Sequence, residues 1–199
     1  MTASKQELKS KETIRRIHEA SKTILMTQGY DQLSIKNICK EAGVSNGSFY
    51  HHFDSKDDLL SYYIEEQPVL APELLETPKD IAGAKQAIIQ VYLNYVEYCE
   101  SLGIEFMAAY YNTKNQALNP VTRTKRPYPI ITVQNYVEKA IRAGVVNINM
   151  CIECFTTDVR MIVIGNVFEW CIRDGEVDFA RNMERSLGRY LDSTLCEVL

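Results

Sequence analysis

Residues 35–54 concentrate the chemistry of this chain: Ile-Lys-Asn-Ile-Cys-Lys-Glu-Ala-Gly-Val-Ser-Asn-Gly-Ser-Phe-Tyr-His-His-Phe-Asp. Ser45, Asn46, Gly47 and Ser48 are short and carry hydroxyl and amide groups of the kind that hydrogen-bond base edges in a major groove. Tyr50, His51 and Lys56 follow within reach of a phosphate backbone, and Ser34 and Lys36 lie just upstream. Ile38, Ala42, Val44 and Phe49 supply apolar contacts between two short helices, and Cys39 is small where those helices approach. Gly43 permits a turn that a side chain would strain. Two helices joined in this way form a helix-turn-helix, with the motif over about 34–53.

The flanking elements support that assignment. Ile14, Ile17, Ser21, Ile24 and Leu25 step by three and four, so a helix is predicted over about 8–28, stopped at Gly29. Ser34 and Ser45 stand where N-caps belong. Asp54 or Ser55 opens a further helix that should end by Pro68, with Asp57 and Asp58 in its first turn. Helices follow over about 79–101, 104–112, 129–142, 152–173 and 178–196, with 113–127 a polar loop. No convincing strand is read, so the prediction is all-α with about nine helices. The division is a helix-turn-helix domain at 1–54 and a helical effector-binding and dimerisation domain at 55–199.

Many separated positions in this region resemble the amino-terminal pattern of TetR-type transcriptional regulators. They are Gly29-Tyr30, Leu33-Ser34-Ile35, Ile38, Ala42-Gly43-Val44-Ser45, Gly47, Tyr50, His52-Phe53 and Lys56-Asp57-Asp58-Leu59-Leu60, all within residues 11–64. Cys39 stands where the family usually has alanine. The resemblance implies an all-helical homodimer with a three-helix DNA-binding head. It also implies a carboxy-terminal domain that binds a small effector and pairs through its last two long helices. By the family's pattern Ser45, Asn46, Gly47 and Ser48 face bases, while Tyr50, His51 and Lys56 contact backbone. Past residue 64 the likeness is architectural only.

Charge agrees with such a division. The whole chain carries −4 over 199 residues, yet residues 1–53 hold eight Lys/Arg against five Asp/Glu, leaving the remainder at −7. A basic head suits a polyanion, and an acidic body suits some other task. With 46% apolar and 24% charged residues, an acidic disordered chain is excluded. No apolar run approaches 18 residues and the first residues carry no apolar stretch. A cytoplasmic protein without signal peptide is therefore expected.

In the body, tyrosines mark a candidate pocket for a planar or amphipathic guest: Tyr92, Tyr95, Tyr110, Tyr128 and Tyr136, with Cys99 and Phe106. Core or interface packing is the alternative for any one of them. Glu97, Glu100 and Glu105 either favour a cationic guest or form a solvated face. Val163, Val167 and Trp170, with Leu187, Leu191 and Leu195, form apolar stripes read as a dimer interface, an internal core being the alternative.

Cys151 and Cys154 form a C-x-x-C. No strand is read before it and no second pair exists to complete a zinc site, so the simpler reading is two small buried apolar residues. Six scattered cysteines fit a reducing compartment better than a disulfide framework. His18 is read as a surface or hydrogen-bonded residue. No catalytic set, metal site or cofactor site emerges. The function expected is a ligand-responsive repressor that binds a palindromic operator as a homodimer, with the helix that opens at Asp54 as the lever. The alternatives are a cysteine-based redox or metal sensor, or a ligand carrier or enzyme on this fold.

Overall fold

The computed structural model describes residues 5–65, 74, 76–113, 115–118 and 128–197. Packing divides the chain into two compact units: residues 1–64 with 105–123, and residues 65–104 with 124–199.

The first unit is built on α1 (Lys5–Gln28), α2 (Ile35–Ala42), α3 (Asn46–Tyr50) and α4 (Lys56–Glu65). A 3-10 turn at Tyr30–Gln32 joins α1 to α2. Gly29 stops α1 at φ 80°, and Gly43 closes α2 in the left-handed region at φ 62°. Both serine caps form as predicted: Ser34 Oγ accepts from the Asn37 N–H, and Ser45 Oγ from the Ser48 N–H. Ser55 caps α4 through the Asp58 N–H, while Asp58 Oδ2 returns a bond to the Asp54 N–H. The division drawn after Asp54 falls between α3 and α4, and both helices lie in this unit. The predicted stop at Pro68 lies outside the described residues.

Ile17, Ile24, Leu25, Leu33, Ile38, Phe49, Phe53, Leu59 and Leu60 are all fully buried and form the core here. Their spacing along each helix is what predicted the helices, because only one face of each can reach so small a centre. Most of α6 (Ile104–Tyr110) belongs to the same unit, burying Phe106, Met107, Ala109 and Tyr110. A 3-10 turn at Gln116–Leu118 follows within the segment read as loop. Residues 114 and 119–127 of that segment lie outside the described residues.

The second unit holds α5 (Ile81–Leu102), α7 (Tyr128–Arg142), α8 (Ile152–Ile172) and α9 (Phe179–Thr194). Asp80 caps α5 by accepting from the Gly83 N–H at 2.7 Å. Ala84, Ile88, Val91, Tyr92, Tyr95, Val96 and Cys99 turn the buried face of α5 inward. Lys85 reaches across to Asp192 at 2.7 Å, joining α5 to α9. Trp170 of α8 stacks on Phe179 of α9 with ring centroids 5.0 Å apart. Asn166 donates to both Ile162 O and Ser186 Oγ, tying the same two helices together.

One departure from the all-helical expectation is a two-stranded antiparallel clip. Strand β1 (Asn147–Ile148) pairs with β2 (Leu195–Cys196), so α9 ends at Thr194 and extended chain follows. Two-residue strands carry no period that a sequence can show. Among the described residues 77% are helical.

Candidate nucleic-acid interface

Three braces hold the helix-turn-helix. Arg16 of α1 donates from Nη2 to the carbonyl oxygens of Ala42 and Gly43, the latter at 3.1 Å. Two carbonyls at the end of α2 are thereby satisfied by a cation, which the helix dipole favours at that end. Phe49 enters the core from α3, packing against Phe53 at 5.5 Å. Tyr63 of α4 donates to the Ile14 carbonyl of α1 at 3.1 Å and stacks on His18 at 3.5 Å.

With α3 held by its one buried side chain, the rest of it faces solvent. Ser45, Asn46, Gly47, Tyr50 and His51 are exposed, and Ser48 is half-buried. Tyr50 is 56% exposed, well above what a large aromatic needs for packing alone. Lys36 is exposed on α2, and Ser34 and Lys56 are half-buried. The Lys56 ammonium rests 4.4 Å over the Tyr30 ring, which orients it. Ser34 Oγ and Ser45 Oγ each accept one capping bond, which leaves each hydroxyl its O–H donor and a second lone pair for another molecule. His52 is held below the usual histidine range by burial and by its neighbour His51.

Sequence reasoning overlooked two residues in this unit. Arg16 carries no motif signal, since any surface arginine on α1 would read the same. His18 is half-buried at the junction of α1, α4 and α6, stacked on Tyr63 and edge-on to Phe106 at 5.6 Å. Its Nε2 has no hydrogen-bond partner among the described residues, and burial lowers its pKa to about 4. The expectation of a surface or satisfied histidine is corrected: the ring serves as an aromatic spacer, and burial holds it neutral although Glu19 Oε1 lies 3.9 Å from its Nδ1.

The pocket candidates separate. Tyr92, Tyr95 and Cys99 are buried on α5, and Tyr136 is buried on α7, all in the second unit. Phe106 and Tyr110 are buried in the first unit. The side chain of Tyr128 lies outside the described residues. Burial raises the Tyr92 phenol well above its ordinary range, and its hydroxyl has no hydrogen-bond partner among the described residues. Tyr136 lines a cleft of about 310 Å³ with Glu76, Gln86 and Gln90. Glu97, Glu100 and Glu105 are exposed, a solvated face.

Among the six dimer candidates the structure leaves none on the surface. Val163, Val167, Trp170, Leu187, Leu191 and Leu195 are all buried within the single chain. The exposed apolar row of α8 is a different one: Met161, Phe168 and Ile172 are 63%, 56% and 56% exposed, with exposed Gly165 between them. Because α8 is apolar around much of its girth, periodicity alone cannot say which row faces inward.

Cys151 and Cys154 are both exposed and joined by a disulfide, correcting the reading of two buried apolar side chains. Among the described residues no cluster of three His, Cys, Asp or Glu could hold a metal ion, and no helix is long and apolar enough to cross a membrane.

Comparison with known proteins matches residues 17–63 to the domain described as bacterial regulatory proteins, tetR family. Over those residues the amino-terminal unit is similar to the tetR-family regulatory domain. Transposon Tn10 TetC protein of Escherichia coli is 28% identical over 88 residues, covering 44% of this chain and 45% of TetC. The HTH-type transcriptional regulator YwcC of Bacillus subtilis is 37% identical over 67 residues, covering 34% of this chain and 30% of YwcC. The chain thus matches less than half the length of these relatives. Its fold extends the likeness. The Bacillus subtilis transcriptional regulator FadR, solved in complex with stearoyl-CoA, superposes with a TM-score of 0.64 at 18% identity, covering 89% of this chain and 96% of FadR. PfmR, a TetR-family regulator of Thermus thermophilus, superposes at 0.58 with 17% identity, covering 89% and 97%. The chain therefore has the all-α fold of these regulators over most of its length.

Proposed function

We propose that this TetR-family chain is a transcriptional repressor that binds a palindromic DNA operator as a homodimer and releases it on binding a small effector. The observation that carries the reading is the exposed polar edge of α3. Asn46, Gly47 and Ser48 stand free on a helix fixed from behind by Phe49, with Tyr50, His51, Lys36 and Lys56 flanking them. A base-reading edge bordered by phosphate-reaching side chains is what major-groove recognition requires.

Dimerisation is assigned to the exposed row of α8. Met161, Gly165, Phe168 and Ile172 step by four, three and four, so they lie on one face with a glycine at its centre where a second helix can approach closely. A two-fold copy would bury this row against itself. The two recognition helices would then enter major grooves about 34–36 Å apart. The effector site is assigned to the α5–α7 region, where Tyr92 offers a buried hydroxyl without a partner among the described residues and Tyr95, Cys99 and Tyr136 supply apolar walls. Such a site suits an amphipathic molecule with one polar group. FadR, solved with stearoyl-CoA, is a structural neighbour whose bound molecule is amphipathic.

Footprinting on the DNA flanking the protein's own gene tests the reading. A protected palindrome, with affinity that falls steeply as salt rises, is the expected outcome. Equal affinity for every sequence, or none, overturns it.

A further inference from the structure

The C-x-x-C at the start of α8 is left unused by the function proposed above. Cys151 is the N-cap of this 21-residue helix, and its Sγ accepts the Cys154 N–H at 3.1 Å. Strand β1 ends three residues earlier and is held by β2, so the chain enters the helix from a fixed direction. The Cα atoms of the two cysteines lie 5.2 Å apart, within the separation a disulfide spans without backbone movement. Both residues are exposed. Unpaired N–H groups in the first helical turn stabilise negative charge on an N-cap sulfur, and a thiolate is the attacking species in disulfide exchange.

We propose that Cys151 and Cys154 form a reversible dithiol–disulfide site that exchanges with low-molecular-weight disulfides and thiols. Oxidation starts from the reduced pair. The Cys151 thiolate attacks one sulfur of a small disulfide, forms a mixed disulfide and expels one thiolate. Cys154 then loses its proton to solvent and attacks Cys151 Sγ, expelling the second thiolate. Each expelled thiolate takes up a proton, so two protein thiols become one disulfide while one small disulfide becomes two small thiols. Reduction runs the same steps in reverse. Cys39 and Cys99 are buried and cannot meet such a reagent in the folded chain. Cys196, on the strand paired with β1, is exposed but on a separate element.

The full-length chain is equilibrated in glutathione buffers of varied ratio, quenched in acid, alkylated after unfolding, and mapped by peptide mass. Reducing ratios should leave all six cysteines alkylatable, and oxidising ratios should remove two, at residues 151 and 154. The Cys154→Ser variant should accumulate a glutathione adduct on Cys151 at least tenfold above that on Cys154 in Cys151→Ser. Serine retains the capping role, and helical circular dichroism checks that both variants fold. Three results overturn the proposal: both thiols alkylatable at every ratio, a disulfide that survives excess reduced glutathione in the folded chain, or pairing through Cys196. None of these readouts involves DNA, so failure here is distinct from failure of operator binding.

Discussion

At the scale of single residues, the proposed reading separates exposed side chains on α3 from buried ones that hold the unit together. Asn46 has no structural task visible in the core, so Asn46→Ala should leave stability unchanged. It should weaken operator binding by about 1–3 kcal/mol and relax preference at one base position, measured by titration against operator variants. Lys36→Ala should weaken binding to all sequences alike and lower the slope of log affinity against log salt by about 1. His18 belongs to the holding group. Its pKa of about 4 lies below the ordinary 6.5, so the unfolded chain binds more protons between those values. Stability contributed by the neutral ring is therefore complete above pH 6.5 and falls as pH drops toward 4, by on the order of 2–3 kcal/mol. Carboxylates titrate in the same range, so the difference between the native chain and His18→Phe is the quantity to follow. Urea midpoints against pH should drop more steeply with acid for the native chain than for the variant.

For whole elements, the turn between α2 and α3 governs whether the reading edge is presented at all. Gly43 sits at φ +62°, and a Cβ there would stand 2.7 Å from Arg16 Nη2. Gly43→Ala should therefore cost the left-handed penalty of about 1–2 kcal/mol and also displace the arginine that caps α2. Thermal unfolding should show the loss, and operator affinity should fall with it because α3 is aimed through this turn. Ser45→Ala removes the cap on a five-residue helix, at a cost of about 1 kcal/mol. Both positions were legible in the sequence because turn and cap chemistry is local. Arg16 was not, because its two acceptors lie 26 and 27 residues away.

At the scale of the whole molecule, the proposed pairing rests on the exposed row of α8. Phe168→Glu places a charge in the exposed row while leaving Val163, Val167 and Trp170 in the chain's own core. Light scattering should then report the mass of one chain with helicity retained. Operator affinity should fall sharply, because a single head gives up the second half-site. A dimer that survives this change would place the interface elsewhere.

The helices and their stops, both serine caps, and the polar edge at residues 45–48 followed from sequence, since each rests on interactions within a few residues. The family of the head followed for the same reason: its pattern is a dense set of local packing and capping demands. Three matters waited for the tertiary structure. Apolar residues wrap α8, so only packing against α9 separated the buried row of Val163, Val167 and Trp170 from the exposed row of Met161, Phe168 and Ile172. His18 became a half-buried spacer only when α4 and α6 closed over it. Cys151 and Cys154 are an exposed pair beside a strand, β1, that is held by β2 and by the Asn149 bond to the Ser193 carbonyl 44 residues further along the chain. Spacing within a helix records which residues share a face, but burial is decided by what folds back onto that face.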